Sequence, residues 1–126
     1  TEQESDSLLL SSKDKVDGFY IVTDKEGRFI GQVRFSIEKV SAVISISITK
    51  LFRGKGLASK IIVNSCKRLY QSRDRIKIIV ANINTTNLSS VKTFERAGFV
   101  YKEEIVINET NYYIYSLDLS TGRALC

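Results

Sequence analysis

The chain contains no histidine. That single absence removes His-based catalytic triads and the usual imidazole metal sites, so acid–base chemistry would fall to carboxylates, Tyr, Lys, Ser or water. Proline is also absent, which leaves no boundary signal of that kind. The two cysteines are Cys66, inside a helical pattern, and Cys126, the final residue. Neither their number nor their spacing suggests a disulfide framework or a zinc site, and both read as reduced. No apolar run approaches the roughly 20 residues that cross a bilayer. The opening "TEQESDSLLL" lacks the basic, apolar, small-residue order of a signal peptide. The expected compartment is therefore the cytoplasm, with no membrane partner.

What remains is a chain of 126 residues, 43% hydrophobic and 26% charged, enough for one domain with a real core. Its formal charge of +5 points to an anionic partner, either nucleic acid or a phosphorylated small molecule. The position of the cations has to choose between them. The densest basic run, "CKRLYQSRDRIK", falls on the outer side of a helix and its exit loop. A charge run of that kind reads as a solvated face, so no nucleic-acid partner is expected.

Residues 1 to 17 read as a polar tail or a short edge strand, and residues 120 to 126 as a C-terminal tail. Between them, "GFYIVTDKEGRFIGQVRFSIEKV" gives two β-rich runs around a turn at Asp24–Gly27, a hairpin. In "SAVISISITK", Ile44, Ile46 and Ile48 alternate with Ser45, Ser47 and Thr49, the period of a strand. From Leu57 to Gln71, apolar residues at 58, 62, 66 and 69 recur at helical spacing. "RIKIIVANI", residues 75 to 83, reads as a central strand covered on both faces. A second helix follows in "NTTNLSSVKTFERAGF", with Leu88, Val91, Phe94 and Ala97 as its apolar stripe and Gly98 as its C-terminal cap. A closing hairpin, Phe99 to Ile107 and Tyr112 to Leu119, turns around "NETN". The order is β-β-β-α-β-α-β-β.

The stretch "LFRGKGLASKII" places Arg53, Gly54, Lys55 and Gly56 where a strand gives way to a helix. Two glycines allow a sharp turn with exposed N–H groups, and those groups end at a helix N-terminus carrying about half a positive charge. Such a turn cradles an anion, and the flanking cations suit a pyrophosphate and a further phosphate. It is neither a Walker loop nor a GxGxxG fingerprint.

Arg53-x-x-Gly56-x-Ala58 resembles the pyrophosphate-binding signature Gln/Arg-x-x-Gly-x-Gly/Ala of the GCN5-related N-acetyltransferases (GNAT). The segment "NTTNLSSVKTFERAGF" is similar to that family's Asn-x-x-Ser/Ala…Tyr/Phe-Glu-Lys-x-Gly-Phe segment, at the expected separation. The resemblance covers residues 18 to 119, the expected acetyltransferase domain. It implies an α+β (α/β) fold built on a mixed, mostly antiparallel sheet whose middle strands splay, and acetyl-CoA-dependent transfer of an acetyl group to an amine. No metal is implied. Pantetheine would lie in the gap between strands 42 to 49 and 75 to 83, paired with backbone groups near Ile46 and Ile48. Amides of Arg53, Gly54, Lys55, Gly56, Leu57, Ala58 and Ser59 would hold the pyrophosphate. Asn87 would bond the pantetheine or phosphate arm, and Phe94 would pack near the thiol. Ordinary core packing is the competing reading of Ile46, Ile48 and Phe94.

Direct attack by a neutral amine needs a proton acceptor and a group to protonate the thiolate. Residues 41 to 49 carry no acid, so Glu38 is the nearest candidate base, and Ser45 and Ser47 could hold a water chain instead. Many relatives carry a Tyr as general acid where this chain has Phe94. Tyr112, Tyr113 and Tyr115 on the closing hairpin are the substitutes, with Tyr113 the named candidate. Only 17 residues precede Gly18, where relatives carry a strand and one or two helices, and the chain has no initiating Met. It therefore reads as a piece of something longer, such as the C-terminal module of a larger enzyme, and a homodimer is equally allowed. The acceptor expected from wording similar to relatives is a small amine, with a nucleotide-linked aminosugar as one form of it. A non-catalytic acyl-CoA-binding module and a protein or peptide N-acetyltransferase stay open as alternatives.

Overall fold

The computed structural model describes residues 9–12, 18–54 and 56–120. Seven strands form one sheet in the order β1-β2-β3-β4-β5-β7-β6. They are β1 (Leu9–Ser12), β2 (Phe19–Thr23), β3 (Phe29–Glu38), β4 (Ser41–Ile48), β5 (Ile78–Asn84), β6 (Val100–Ile107) and β7 (Thr110–Asp118). Two helices, α1 (Leu57–Ser72) and α2 (Leu88–Arg96), flank β5 in the chain, and a short 3-10 turn (Lys50–Phe52) precedes α1. The expected element order holds, with β1 added as an edge strand within the stretch read as tail or strand. The rest of that stretch, and residues 121 to 126, lie outside the described residues.

Every neighbouring pair of strands is antiparallel except β4 and β5. The β2–β3 turn is fastened by Asp24. Its Oδ1 accepts from the amides of Glu26 and Arg28 at 2.9 Å each, and its Oδ2 accepts from Arg28 Nε at 2.6 Å. The β3–β4 ladder runs without interruption from Gly31↔Ile48 to Glu38↔Ser41. At its far end only glycine fits, because a Cβ on residue 31 would sit 2.2 Å from the Ser47 carbonyl oxygen.

Register decides which side chains share a face. Val33, Phe35, Ala42, Ile44, Ile79, Ala81, Ile83, Tyr115 and Leu117 all point to one side and are buried there with Ile61, Ile62, Cys66 and Leu69 of α1 and Phe94 of α2. The opposite side is only half covered, with Val43, Ile78, Val80 and Ile114 partly exposed and Asn82 exposed. The expectation that β5 is covered on both faces is therefore corrected. Its β-branched run fills the helix-covered face with Ile79, Ala81 and Ile83, while Ile78 and Val80 meet a sparser environment. Leu88 is likewise displaced from the expected apolar stripe. As the first residue of α2 it overhangs the sheet and is 64% exposed, whereas Phe94 and Ala97 are buried. The closing turn is tighter than expected, with only Asn108 and Glu109 between the strands, at φ 48° and 67°. Paired positive φ values match the twist of a two-residue hairpin, so Thr110 and Asn111 join β7.

Candidate functional site

The parallel ladder between β4 and β5 is short. It pairs Ser41 with Ile78, Ala42 with Ile79 and Val43 with Val80. Beyond it, Ile44–Ile48 stays bonded to β3 and Ala81–Asn84 to β7, so the two strands part and their facing edges offer backbone groups with no ladder partner. Ile46 and Ile48 are only half-buried because this opening lies beside them.

At the mouth of the opening the chain passes through the 3-10 turn into α1. Gly54 (φ 75°) and Gly56 (φ 73°) are both left-handed, and Gly56 is the N-cap of α1. No side chain caps this helix and no acid lies in its first turn, so the amides of Leu57, Ala58 and Ser59 point outward without an intrahelical acceptor. The Arg53 amide is less available than expected, since it donates to the Lys50 carbonyl at 3.3 Å. The Arg53 side chain folds back, Nε donating to the Ile48 carbonyl at 2.9 Å. Lys55 lies outside the described residues.

A cleft of about 820 Å³ joins these parts. Ile46, Ile48, Arg53, Gly54, Gly56, Leu57, Ala58, Ser59, Asn87 and Phe94 all line it, so the structure brings together every described residue expected to hold the cosubstrate. Asn87 caps α2, its Oδ1 accepting from the Ser90 amide at 3.1 Å, which leaves the amide nitrogen for other partners. Phe94 is 5% exposed and meets Phe99 edge-on at 5.1 Å between ring centres. The sequence reading missed Phe52 and the outer stripe of α2, where Ser89, Lys92, Thr93 and Arg96 also line the cleft. A helical wheel started at Asn87 places that stripe on one face, which was the available signal.

A smaller cleft of about 220 Å³ opens where β4 and β5 diverge. Ile46, Asn87, Ser90 and Phe94 belong to both clefts, and Ser45, Asn82 and Asn84 belong to the smaller one. The register puts Ser45, Asn82 and Asn84 on the sheet face away from the helices and Ile44, Ala81 and Ile83 on the covered face, so the smaller cleft is lined by residues of both faces. Among the described lining residues of the two clefts there is no carboxylate.

Neither proposed proton carrier stands at this opening. Glu38 ends β3 opposite Ser41, at the closed end of the V, exposed to solvent. It is five strand positions short of Ile46, roughly 17 Å at about 3.3 Å per residue. Tyr113 pairs with Ile83 and Glu104 and packs its ring against Tyr101, 5.9 Å between centres, and lines neither cleft. The Tyr115 hydroxyl donates to Glu95 Oε2 at 3.1 Å. Burial raises its pKa first, and the Glu95 carboxylate adds to the effect. Tyr112 pairs with Asn84 and also lies outside the clefts. Of the serines expected to hold water, Ser45 lines the smaller cleft and Ser47 does not. Cys66 is fully buried and its thiol is pushed up to about 12 by burial, so it supplies no nucleophile near neutral pH. Among the described residues no three His, Cys, Asp or Glu side chains gather as a metal site, and no helix is long and apolar enough to cross a membrane. In the basic run of α1, Arg68 is held to the fold, Nη1 donating to the Leu10 carbonyl and its guanidinium lying over the Tyr20 ring.

A family model described as an acetyltransferase (GNAT) domain matches residues 1–100. The chain belongs to that family. No curated protein matches it. Solved structures share the GNAT fold at low identity. A mutant of the spermidine N-acetyltransferase of Vibrio cholerae aligns at TM-score 0.76 and 20% identity, over 86% of this chain and 68% of its own. A GNAT-family acetyltransferase from Bacillus anthracis aligns at 0.73 and 17%, over 80% of this chain and 66% of its own. A putative acetyltransferase from Acinetobacter baylyi aligns at 0.69 and 21%, over 80% and 63%. The splayed β4 and β5 and the glycine turn are thus the features on which this GNAT chain's own function has to be built.

Proposed function

We propose that this chain is an N-acetyltransferase that takes its acetyl group from acetyl-CoA and passes it directly to the amine of a small molecule, in the cytoplasm. The observation that carries the proposal is the continuity of the opening. The uncapped N-terminus of α1 lies in one cleft, and that cleft shares Ile46, Asn87, Ser90 and Phe94 with the smaller one between the diverging β4 and β5.

The residues fit such a ligand in three ways. The free amides of Leu57, Ala58 and Ser59, with the helix dipole behind them, suit a pyrophosphate. The unpaired inner edge of β4 near Ile46 suits the amides of a pantetheine arm laid between the strands. Phe94, Ile46 and Ile48 make the inner wall apolar, which keeps water from the reacting end. Acetyl-CoA supplies an activated thioester, and a neutral amine displaces the thiolate from its carbonyl carbon. Backbone N–H groups on the open edge of β4 are placed to stabilise negative charge on that carbonyl oxygen. Holding both partners in one passage supplies much of the rate, with effective molarities that can reach about 10⁵ M.

The acceptor side is lined by Ser45, Asn82 and Asn84 and carries no carboxylate among its described residues. Neutral amide and hydroxyl groups suit a hydroxylated carrier with one amino group, of which an aminosugar is the type, better than a polyamine whose several ammonium groups need counter-charges. The same neutrality leaves the acceptor's ammonium to lose its proton to water before attack, and the proton released as the amide forms passes through water, held by Ser45 and the two asparagines, to the departing thiolate. The enzyme then selects amine that is already neutral, and Glu38 and Tyr113 take no part.

The test is release of free CoA thiol from acetyl-CoA with an aminosugar, a polyamine and a peptide as acceptors, at pH values across the acceptor's pKa. Transfer to the aminosugar rising with pH up to that pKa, and unchanged in Glu38→Gln and Tyr113→Phe, is expected. A rate profile with an acidic limb that disappears in Glu38→Gln would make Glu38 the base. Preference for the polyamine or the peptide would overturn the acceptor class, and binding without transfer to any amine would leave an acyl-CoA-binding module.

A further inference from the structure

On the sheet face away from the helices, one row of side chains crosses β2 and β3 and ends at the smaller cleft. Arg34 of β3 pairs with Phe19 of β2 on one side and with Ser45 of β4 on the other. Ser45 lines that cleft with Asn82 of β5, each two residues beyond the last rung of the parallel ladder. Directly paired residues on neighbouring strands have Cβ atoms about 5 Å apart, so Arg34 stands next to the acceptor side without lining it. Alternation along β2, β3, β4 and β5 places no other Lys or Arg on this face. The one acid it places there is Glu38, four residues further along β3, roughly 13 Å away at about 3.3 Å per residue.

Arg34 is exposed, and its guanidinium lies over the Phe19 ring, 4.6 Å from the centroid. Among the described residues it has no carboxylate partner and no side-chain hydrogen bond. The ring steadies the cation without supplying a lone pair, so the planar fork of N–H donors stays available to an oxyanion. From the gap between β4 and β5 to Arg34 is about one and a half strand spacings, roughly 7 Å. An acceptor whose amine enters that gap meets Arg34 with a group on the far side of a sugar ring. We propose that Arg34 recognises an oxyanion, phosphoryl or carboxylate, carried by the acceptor on the same sugar as its amine. The proposal rests on the aminosugar reading above and narrows it to acidic aminosugars. It also gives the chain a means of refusing polyamines, whose ammonium groups an unpaired guanidinium repels. Arg34 sets specificity, remote from the reacting carbonyl, and takes no part in proton transfer.

The experiment is release of CoA thiol at saturating acetyl-CoA with three acceptors that differ at one carbon: glucosamine, glucosamine 6-phosphate and glucosaminuronic acid. It uses the wild-type chain, Arg34→Gln and Arg34→Lys, with thermal melts to show that all remain folded. Wild type should use at least one of the two acidic sugars about tenfold better than glucosamine in kcat/KM, the scale of one charge-assisted contact, and which one identifies the oxyanion. In Arg34→Gln that preference should vanish through a higher KM for the acidic sugar, with kcat, the KM for acetyl-CoA and activity on glucosamine each within about twofold of wild type. Arg34→Lys should keep part of the preference, since it restores the charge without the fork. Added salt should erode the preference in wild type. Equal use of all three sugars by wild type would overturn the role of Arg34 while leaving the aminosugar reading intact. A preference that survives in Arg34→Gln, or an equal loss on all three sugars in that variant, would also overturn it. Transfer to a polyamine or a peptide and to none of the sugars would overturn the aminosugar reading and this proposal together.

Discussion

Gly56 lines the opening and Gly31 stands behind it, paired with Ile48, and each is glycine for a different reason. Gly31 has no room, since its Cβ would meet backbone of β4 at 2.2 Å from the Ser47 oxygen and 3.1 Å from the Ile48 Cα. Gly56 has open space around it but a left-handed backbone. Gly31→Ala should therefore push β4 away from β3 at the strand's open end. A loss of about 2–3 kcal/mol is expected, read from a denaturant midpoint, together with weaker acetyl-CoA binding because Ile48 moves. A variant as stable as wild type would show that this end of β4 yields freely. Much of the cradle was legible residue by residue, because Gly54 and Gly56 beside two cations at a strand-to-helix switch have few other uses. Gly31 was not legible, since nothing local marks a glycine whose constraint is the neighbouring strand. Lys92 and Arg96 were missed in the same way, as ordinary charges on a polar helix face until the cleft placed them beside Arg53.

At the scale of elements, the alternation of Ile and Ser in β4 and the helical spacing in α1 were readable because each depends on its own segment. The splay of β4 from β5 is set by where a ladder between distant segments stops, so periodicity could not supply it and family resemblance did. The closing turn was misjudged because Asn108-Glu109 lacks the glycine that usually marks a two-residue hairpin. The β2–β3 turn shows the opposite case, where one side chain explains the element. Burial pushes the Asp24 carboxyl up, but hydrogen bonds from the Arg28 amide and guanidinium, the Arg28 charge and the Glu26 amide outweigh it and hold its pKa below the ordinary value. A depressed carboxylate stabilises the fold above its unfolded pKa, and that contribution drains away as pH falls through the folded one. Asp24→Asn should accordingly be less stable than wild type at neutral pH, with the gap closing in acid. Denaturant midpoints of the two proteins from neutral pH to below the carboxylate range check this, and a gap independent of pH would remove Asp24's charge from the explanation.

Over the whole molecule, a sheet filled on one face by two helices leaves an opening where its parallel pair separates, and cations without carboxylates gather at one mouth of it. The net charge of +5 acquires a location in this way. The acceptor was least legible in the sequence, and the proton carriers were little better. Glu38 was chosen by nearness along the chain, and it stands at the closed end of the V because an antiparallel hairpin carries its two ends apart. The central claim is that the glycine turn holds the phosphates of acetyl-CoA, and calorimetric titration of acetyl-CoA into wild type and Gly56→Val tests it most directly. Valine at φ 73° costs about 1–2 kcal/mol of backbone strain in open space, so the variant should stay folded with a small drop in melting temperature. Saturable one-to-one binding by wild type, lost in folded Gly56→Val, is the expected result. Unchanged affinity in the variant, or no binding by wild type, would contradict it.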